Sequence, residues 1–209
     1  MLRNRGTQTK AHRDMSYIST PGNFAYPWYM RLTFWWQRRR YGRELEPVRL
    51  WGRLPRAFLA MTLMYRALDR KSSPIDPALR SLIQVRVSQI NWCAFCIDLN
   101  SALGAGRGVS EERLRALPHF ADSNLFNERE KAALSYAEAM TDSGQRSDDA
   151  LIARLQQHFN DDAIVELTAL IAYQNMSSKF NAALGVPAQG FCTFGSHAPR
   201  ATQTGGEHD

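Results

Sequence analysis

Two cysteines separated by two residues, Cys93-Ala94-Phe95-Cys96, are the side chains of this chain best placed to do chemistry. At that spacing on a first helical turn, the sulfurs lie close enough to form a disulfide with little distortion. The unpaired N–H groups and positive dipole end of such a turn favour a thiolate. A thiolate can attack a peroxide oxygen or another disulfide, and its neighbour then resolves the sulfenic acid or mixed disulfide. Other readings stand beside this one. A structural zinc site needs a second ligand pair, and Cys192, His119, His158 and His197 show no ligand spacing. Two inert core cysteines also fit, because free cysteine is among the most buried residue types. A thioredoxin-like site wants a βαβ context, which is absent.

The elements that must hold the pair read as helices. Pro55 opens a segment in which Phe58, Met61, Tyr65 and Leu68 recur at intervals of three and four. Asp76 before Pro77 is an N-cap followed by proline at the first helical position. The helix it starts carries Leu79, Leu82, Ile83, Val85 and Val87 and is predicted to run close to Asn91. A second helix begins at the cysteine motif and stops in the glycine-rich stretch 104–108, which follows a helix and lacks the lysine-serine ending of a phosphate loop. Ser110, Asn127, Ser147 and Asn160 each precede a run with acids in its first turn and read as N-caps. The last helix spans about 161–184, with Gly185 as its stop. No segment alternates as a half-buried strand does. The fold class expected is all-α.

Composition bounds the rest. With 209 residues, 44% hydrophobic and 22% charged, the chain suits one globular domain with a substantial core. Nothing in the first 25 residues reads as a signal peptide, and no run approaches the ~20 apolar residues of a membrane span. A cytoplasmic protein is expected. The net charge of +6 hides an asymmetry: residues 1–70 carry 14 Lys/Arg against 4 Asp/Glu, and the remainder is acidic by 4 charges. The basic third also holds Trp28, Trp35, Trp36 and Trp51, four of the five tryptophans. Such a segment can meet anionic lipid, nucleic acid or an acidic partner. An acidic surface on a neighbouring subunit is the reading favoured here, with segment 24–51 packed across a subunit boundary and neither nucleic acid nor membrane as partner.

The stretch from Leu82 to Asp98, LIQVRVSQINWCAFCID, resembles the core motif of the carboxymuconolactone decarboxylase superfamily in its alkylhydroperoxidase D-like branch. Val109-Ser110-Glu111-Glu112-Arg113-Leu114, the run 128–134, Ile164-Val165-Glu166-Leu167-Thr168 and the ending 180–187 are similar to that family as well. The resemblance covers roughly residues 45–190. It leaves 1–44 as a basic, aromatic N-terminal extension and 191–209 as a C-terminal tail, and it implies a compact helical bundle that assembles into homo-oligomers.

Carried over from the family's peroxidases, Cys96 would be the attacking sulfur and Cys93 its resolving partner. No cofactor or metal is implied. The substrate would be a hydroperoxide or disulfide, and a thiol reductant would restore the pair. Those peroxidases also relay protons through a glutamate twelve residues before the first cysteine, a histidine four after the second and, in some, a histidine just before the second. This chain has Ser81, Asn100 and Phe95 there. None titrates usefully near neutral pH. Asp98 is the nearest carboxylate, but two residues past Cys96 it points to another part of the helix. Asn100 can still hydrogen-bond a substrate oxygen. A helical scaffold that kept the motif for packing, and a lactone decarboxylase, are the alternatives to the oxidoreductase.

Overall fold

The structure, a computed structural model, describes residues 16–21, 24–144 and 148–192. The basic stretch 1–15, the expected cap Ser147, His197 and most of the C-terminal tail lie outside the described residues. Among the described residues there are helices and turns and no strand. They are α1 (Trp28–Tyr41), α2 (Glu46–Trp51), α3 (Pro55–Leu68), α4 (Pro77–Ile90), α5 (Ala94–Ala105), α6 (Glu111–Ala116), α7 (Glu128–Thr141), α8 (Asp149–Gln156) and α9 (Asp161–Ala183), with a 3₁₀ turn at Leu117–Asp122. No helix among them is long and apolar enough to cross a membrane.

The starts of α4, α7, α8 and α9 follow from short polar side chains that satisfy orphan N–H groups. Asp76 Oδ1 accepts from Ala78 N and Leu79 N at 2.8 and 3.3 Å, ahead of Pro77. Asn127 and Glu130 form a reciprocal capping box on α7, and Asn160 caps α9. Asp148, next to the expected Ser147, caps α8 through Leu151 N. α9 ends as expected at Gly185, whose φ of +64° suits a residue without Cβ.

α4 is the central element and packs against α5, α7 and α9. Leu82, Ile83 and Val87 on it are fully buried, and so are Ser81, Gln84 and Ser88 on its other sides. A helix covered all round cannot show a simple apolar stripe. The main core joins α4 to α6–α9 through Leu117, Leu134, Leu155, Leu167 and Ile171. A second cluster surrounds the cysteines with Leu45, Leu50, Phe95 and Val186, and a third joins Met30, Phe34, Trp51 and Phe58 under α1–α3.

The N-terminal aromatic segment therefore packs on its own chain. Met30, Phe34 and Gln37 of α1 are buried inward, and Gln37 Oε1 accepts the Leu45 N–H. Trp51 stacks on Phe180 of α9 with ring centroids 4.0 Å apart. The outward face of the same helix leaves Trp28, Leu32 and Trp35 at least half exposed.

One charged cluster is drawn into the bundle. Asp69 at the end of α3 bonds Arg107 Nη2 at 2.6 Å and sits 3.3 Å from Arg80 Nε, a charge contact without hydrogen-bond alignment. The Arg80 side chain is 5% exposed. Removing one partner of such a pair strands the other charge in a poorly solvated place. Asp69→Ala is expected to cost about 3 kcal/mol in chemical denaturation, against less than about 0.5 for Arg115→Ala, whose α6 partner Glu111 is on the surface. Equal effects would mean that Asp69 is screened as a surface charge is.

Candidate functional site

The cysteines sit where α4 reverses into α5. Trp92 N–H donates to the Gln89 carbonyl at 3.2 Å, and Cys93 N–H donates to the Ser88 carbonyl at 3.0 Å. These are the two bonds of a helix-ending Schellman turn. The position that glycine usually fills is Trp92, at φ +55° and 77% exposed. Asn91 ties this corner to α9, donating to Asn175 Oδ1 and Ser178 Oγ, both at 2.8 Å.

Cys93 is the N-cap of α5, and its sulfur accepts the Cys96 N–H at 3.2 Å. The two cysteines are joined as a disulfide, with Cα atoms 5.2 Å apart. Both are buried, but they are not equivalent. Cys93 is wholly enclosed, whereas Cys96 lines a cavity of about 390 Å³. Cys96 also receives a bond that Cys93 lacks: Asn181 Nδ2 on α9 donates to its sulfur at 3.3 Å.

The cavity lies between α1–α3 on one side and α4, α5 and α9 on the other. Aromatic side chains make much of its wall, among them Trp36, Trp51, Phe58 and Phe95. Near Cys96 the wall is polar. Asn100, one helical turn beyond, donates to Ser88 Oγ at 3.4 Å. Gln174 on α9 donates to the same hydroxyl at 2.9 Å, and Ser88 in turn donates to the Gln84 carbonyl at 2.6 Å. Asn100, Gln84, Gln174 and Asn181 all line the cavity and all are buried.

Of the four residues picked out in the sequence, the fold brings Cys93, Cys96 and Asn100 together and leaves Ser81 apart. Ser81 does not line the cavity. Its hydroxyl donates to the Pro77 carbonyl at 3.2 Å and accepts from Arg107 Nη1 at 3.2 Å. On that side α5 approaches closely, since a Cβ added at Gly104 would lie 3.2 Å from Ser81 Cβ. Asp98 serves the tail instead of the sulfur, accepting the N–H groups of Gln189 and Cys192 at 2.7 Å each. Phe191 then packs edge-on against Phe95.

Gln84, Ser88, Gln174 and Asn181 do not stand out as a group along the chain, because neutral amides and hydroxyls carry no recognisable spacing. Among the described residues, the titratable side chains of the wall are three tyrosines, since Cys96 is joined to Cys93. Burial pushes the Tyr173 phenol up to about 12. Burial first, then the Asp69 carboxylate to which its hydroxyl donates, push the Tyr65 phenol higher still. Both stay neutral at physiological pH.

Residues 55–139 match the model of the carboxymuconolactone decarboxylase family. The uncharacterized protein YnjA of Escherichia coli is 44% identical over 166 residues, which cover 79% of this chain and 91% of YnjA. The chain belongs to the carboxymuconolactone decarboxylase family. Its fold is that of the alkylhydroperoxidase core. A peroxidase-related protein of Ralstonia eutropha superimposes with a TM-score of 0.74 at 19% identity, over 85% of this chain and 94% of that one. The debrominase Bmp8 gives 0.68 at 22% identity, over 78% and 87%.

Within this family member, Asn181 is the side chain that supports the sulfur facing the cavity. A hydrogen bond to a charged acceptor contributes about 1.5–3 kcal/mol, so its loss reduces the thiolate fraction at least about tenfold. Asn181→Leu and the near-isosteric Asn181→Asp should both slow alkylation of reduced Cys96 at neutral pH by that factor, the aspartate more strongly by charge repulsion. Unchanged rates in two folded variants would remove Asn181 from the site.

Proposed function

We propose that this chain is a thiol-dependent oxidoreductase that turns over through the Cys93–Cys96 dithiol and disulfide. The observation that carries the reading is the asymmetry of the pair, with one sulfur on the cavity wall and its disulfide partner sealed behind it. With a hydroperoxide, the Cys96 thiolate attacks the terminal oxygen. The O–O bond breaks, an S–O bond forms, and the departing alkoxide takes a proton to become the alcohol. Cys93 then attacks the Cys96 sulfenic acid, the disulfide forms and water leaves. With a disulfide substrate, Cys96 forms the mixed disulfide and Cys93 displaces the remaining thiol. A dithiol reductant restores the pair.

Helix geometry by itself would favour Cys93 as thiolate, since the capping N–H of α5 reaches its sulfur. Access decides otherwise, because an enclosed sulfur cannot meet a substrate. Asn181 supplies to Cys96 the donor that the helix supplies to Cys93. No side chain at the expected relay positions titrates near neutrality, so proton delivery falls to water entering the cavity. Cys96→Ser should abolish hydroperoxide consumption in the presence of a dithiol. Cys93→Ser, reduced beforehand and freed of the dithiol, should consume about one equivalent and stop as a sulfenic acid that a dimedone-type reagent traps. Equal turnover by wild type and Cys96→Ser would instead favour a helical scaffold.

The outward face of α1 is the contact we assign to a second copy. Trp28, Leu32 and Trp35 form an exposed apolar strip there, flanked by Arg31 and Arg38, and the acidic balance of residues 71–209 complements it. Trp28→Glu combined with Trp35→Glu should shift the sedimenting species toward monomer while leaving the cavity lining untouched. An unchanged mass would put any subunit contact elsewhere, and salt-sensitive binding of the wild type to anionic vesicles would make the strip a membrane face.

A further inference from the structure

Asp98 is a buried carboxylate to which the thiol chemistry gives no task. It lies on α5 two residues past Cys96 and is 8% exposed. Its two oxygens hold two backbone N–H groups of one segment: Oδ2 accepts from Gln189 and Oδ1 from Cys192, both at 2.7 Å. Taking a carboxylate out of water is costly unless such bonds compensate. A neutral amide cannot replace it, since an amide presents one oxygen and turns an NH2 group toward the second N–H. The side chain suits two donors that arrive together.

The segment that Asp98 holds has few other anchors. After α9 ends, the Val186 N–H closes the turn on the Asn181 carbonyl. From Pro187 to Phe191 no backbone–backbone hydrogen bond holds the chain among the described residues. Val186 is buried in the cluster around the cysteines and Phe191 packs against that cluster, yet neither lines the cavity. Gln189 ties the same segment to the start of α2. Its Oε1 accepts the Glu46 N–H at 3.1 Å, and its Nε2 donates to the Glu44 carbonyl at 3.5 Å. Leu45 and Leu50, beside and on α2, are buried in the cysteine cluster too. The two pieces of chain that enclose Cys93 are thereby fastened to each other and, through Asp98, to α5.

We propose that Asp98 is a positioning residue of the dithiol: it clamps segment 186–192 over Cys93 and so leaves Cys96 as the one sulfur that substrate and reductant reach. Asp98 touches no reacting atom, and its chemical consequence rests on the oxidoreductase reading. When the pair is reset, a reductant thiolate attacks one sulfur of the disulfide and displaces the other. With Cys93 covered, the new S–S bond forms to Cys96, the Cys93–Cys96 bond breaks and the electron pair leaves on Cys93. The departing sulfur is the one that accepts the Cys96 N–H at 3.2 Å, which makes it the better leaving group. The second thiol of the reductant then attacks the reductant sulfur of the mixed disulfide and releases Cys96. The reductant leaves as its own disulfide, and its two thiol protons pass to Cys93 and Cys96.

Alkylation of the reduced full-length protein with iodoacetamide, quenched over time and mapped by peptide mass spectrometry, reads the cover. In wild type Cys93 should react roughly a hundredfold more slowly than Cys96. Loss of a hydrogen bond to a charged acceptor makes local opening at least about tenfold more frequent. Asp98→Asn should therefore speed Cys93 by at least that factor and leave the Cys96 rate within about twofold. Gln189→Pro, which deletes one donor and leaves α5 untouched, should act in the same direction. Asn127→Ala, which weakens the cap of α7, controls for general loss of stability and should change neither rate. Hydrogen exchange at the Gln189 and Cys192 amides should be slowed in wild type and accelerate in Asp98→Asn.

The direction of attack is read on the disulfide form, treated with mercaptoethanol while iodoacetamide captures the freed thiol. The mercaptoethanol adduct should map to Cys96 in wild type and in part to Cys93 in Asp98→Asn. An unchanged Cys93 rate in both strap variants, an equal rise in Asn127→Ala, or adducts on Cys96 alone in Asp98→Asn would overturn the proposal. If a variant does not fold, unprotected exchange of the two amides in wild type overturns it just as well. None of these readouts needs turnover. If they come out as described but Cys96→Ser consumes hydroperoxide as wild type does, the clamp stands and the oxidoreductase reading falls.

Discussion

Everything at this site depends on a reversal of direction accomplished in three residues. Asn91 closes α4, Trp92 turns the chain through the left-handed region, and Cys93 is already the cap of α5. A left-handed backbone costs a residue with a Cβ about 1–2 kcal/mol. At the corresponding place after α9 the chain uses Gly185, which carries no such cost. The surroundings hold Trp92 in place through the two turn bonds and the anchoring of Asn91 on α9. Local strain of this kind persists where the fold over-determines it. The consequence is that Cys93 is wedged between two helices, and Cys96, three residues on, emerges on the cavity side.

The electrostatic design of the site differs from one built on titratable relays. Ser88 sits at the centre of a neutral network, accepting from Asn100 and Gln174 and donating to a carbonyl of its own helix. Neutral groups of this sort fix geometry without changing charge over the physiological range. Asp69, Arg80 and Arg107 are occupied with one another, with Ser81 and with the Tyr65 hydroxyl. The N-terminal third then completes the enclosure. α1, within the stretch that reads in the sequence as an extension, adds Trp36 to the wall, and α2 adds Trp51.

Most of the helical plan was legible because its signals are local. Asp76-Pro77, Asn127 with Glu130, Asn160 and Gly185 each specify a helix end by their own chemistry, and the structure uses all four. The cysteine spacing and the resemblance around it located the pair. Two things were not legible. The burial of segment 24–51 depends on which face of α1 meets α3 and α9, and aromatic residues on both faces conceal that. The amide cluster joins α4, α5 and α9 across up to 86 residues of chain, in Gln174 to Ser88, and only the folded packing brings it together. Ser81 shows the opposite failure: its place in the sequence suggested the site, but Gly104 and Arg107 close it off from the cavity.

The central claim is that Cys96 alone among the pair meets what enters the cavity, and that Cys93 acts only on Cys96. Reaction of the reduced protein with a neutral aromatic disulfide such as dithiodipyridine tests this most directly, with quenching at short times and peptide mapping by mass spectrometry. The account predicts that in Cys93→Ser the pyridylthio adduct accumulates on Cys96. In wild type it gives way to the Cys93–Cys96 disulfide, with release of the second thione. A first adduct on Cys93, or stable adducts on both sulfurs without disulfide formation, would contradict it.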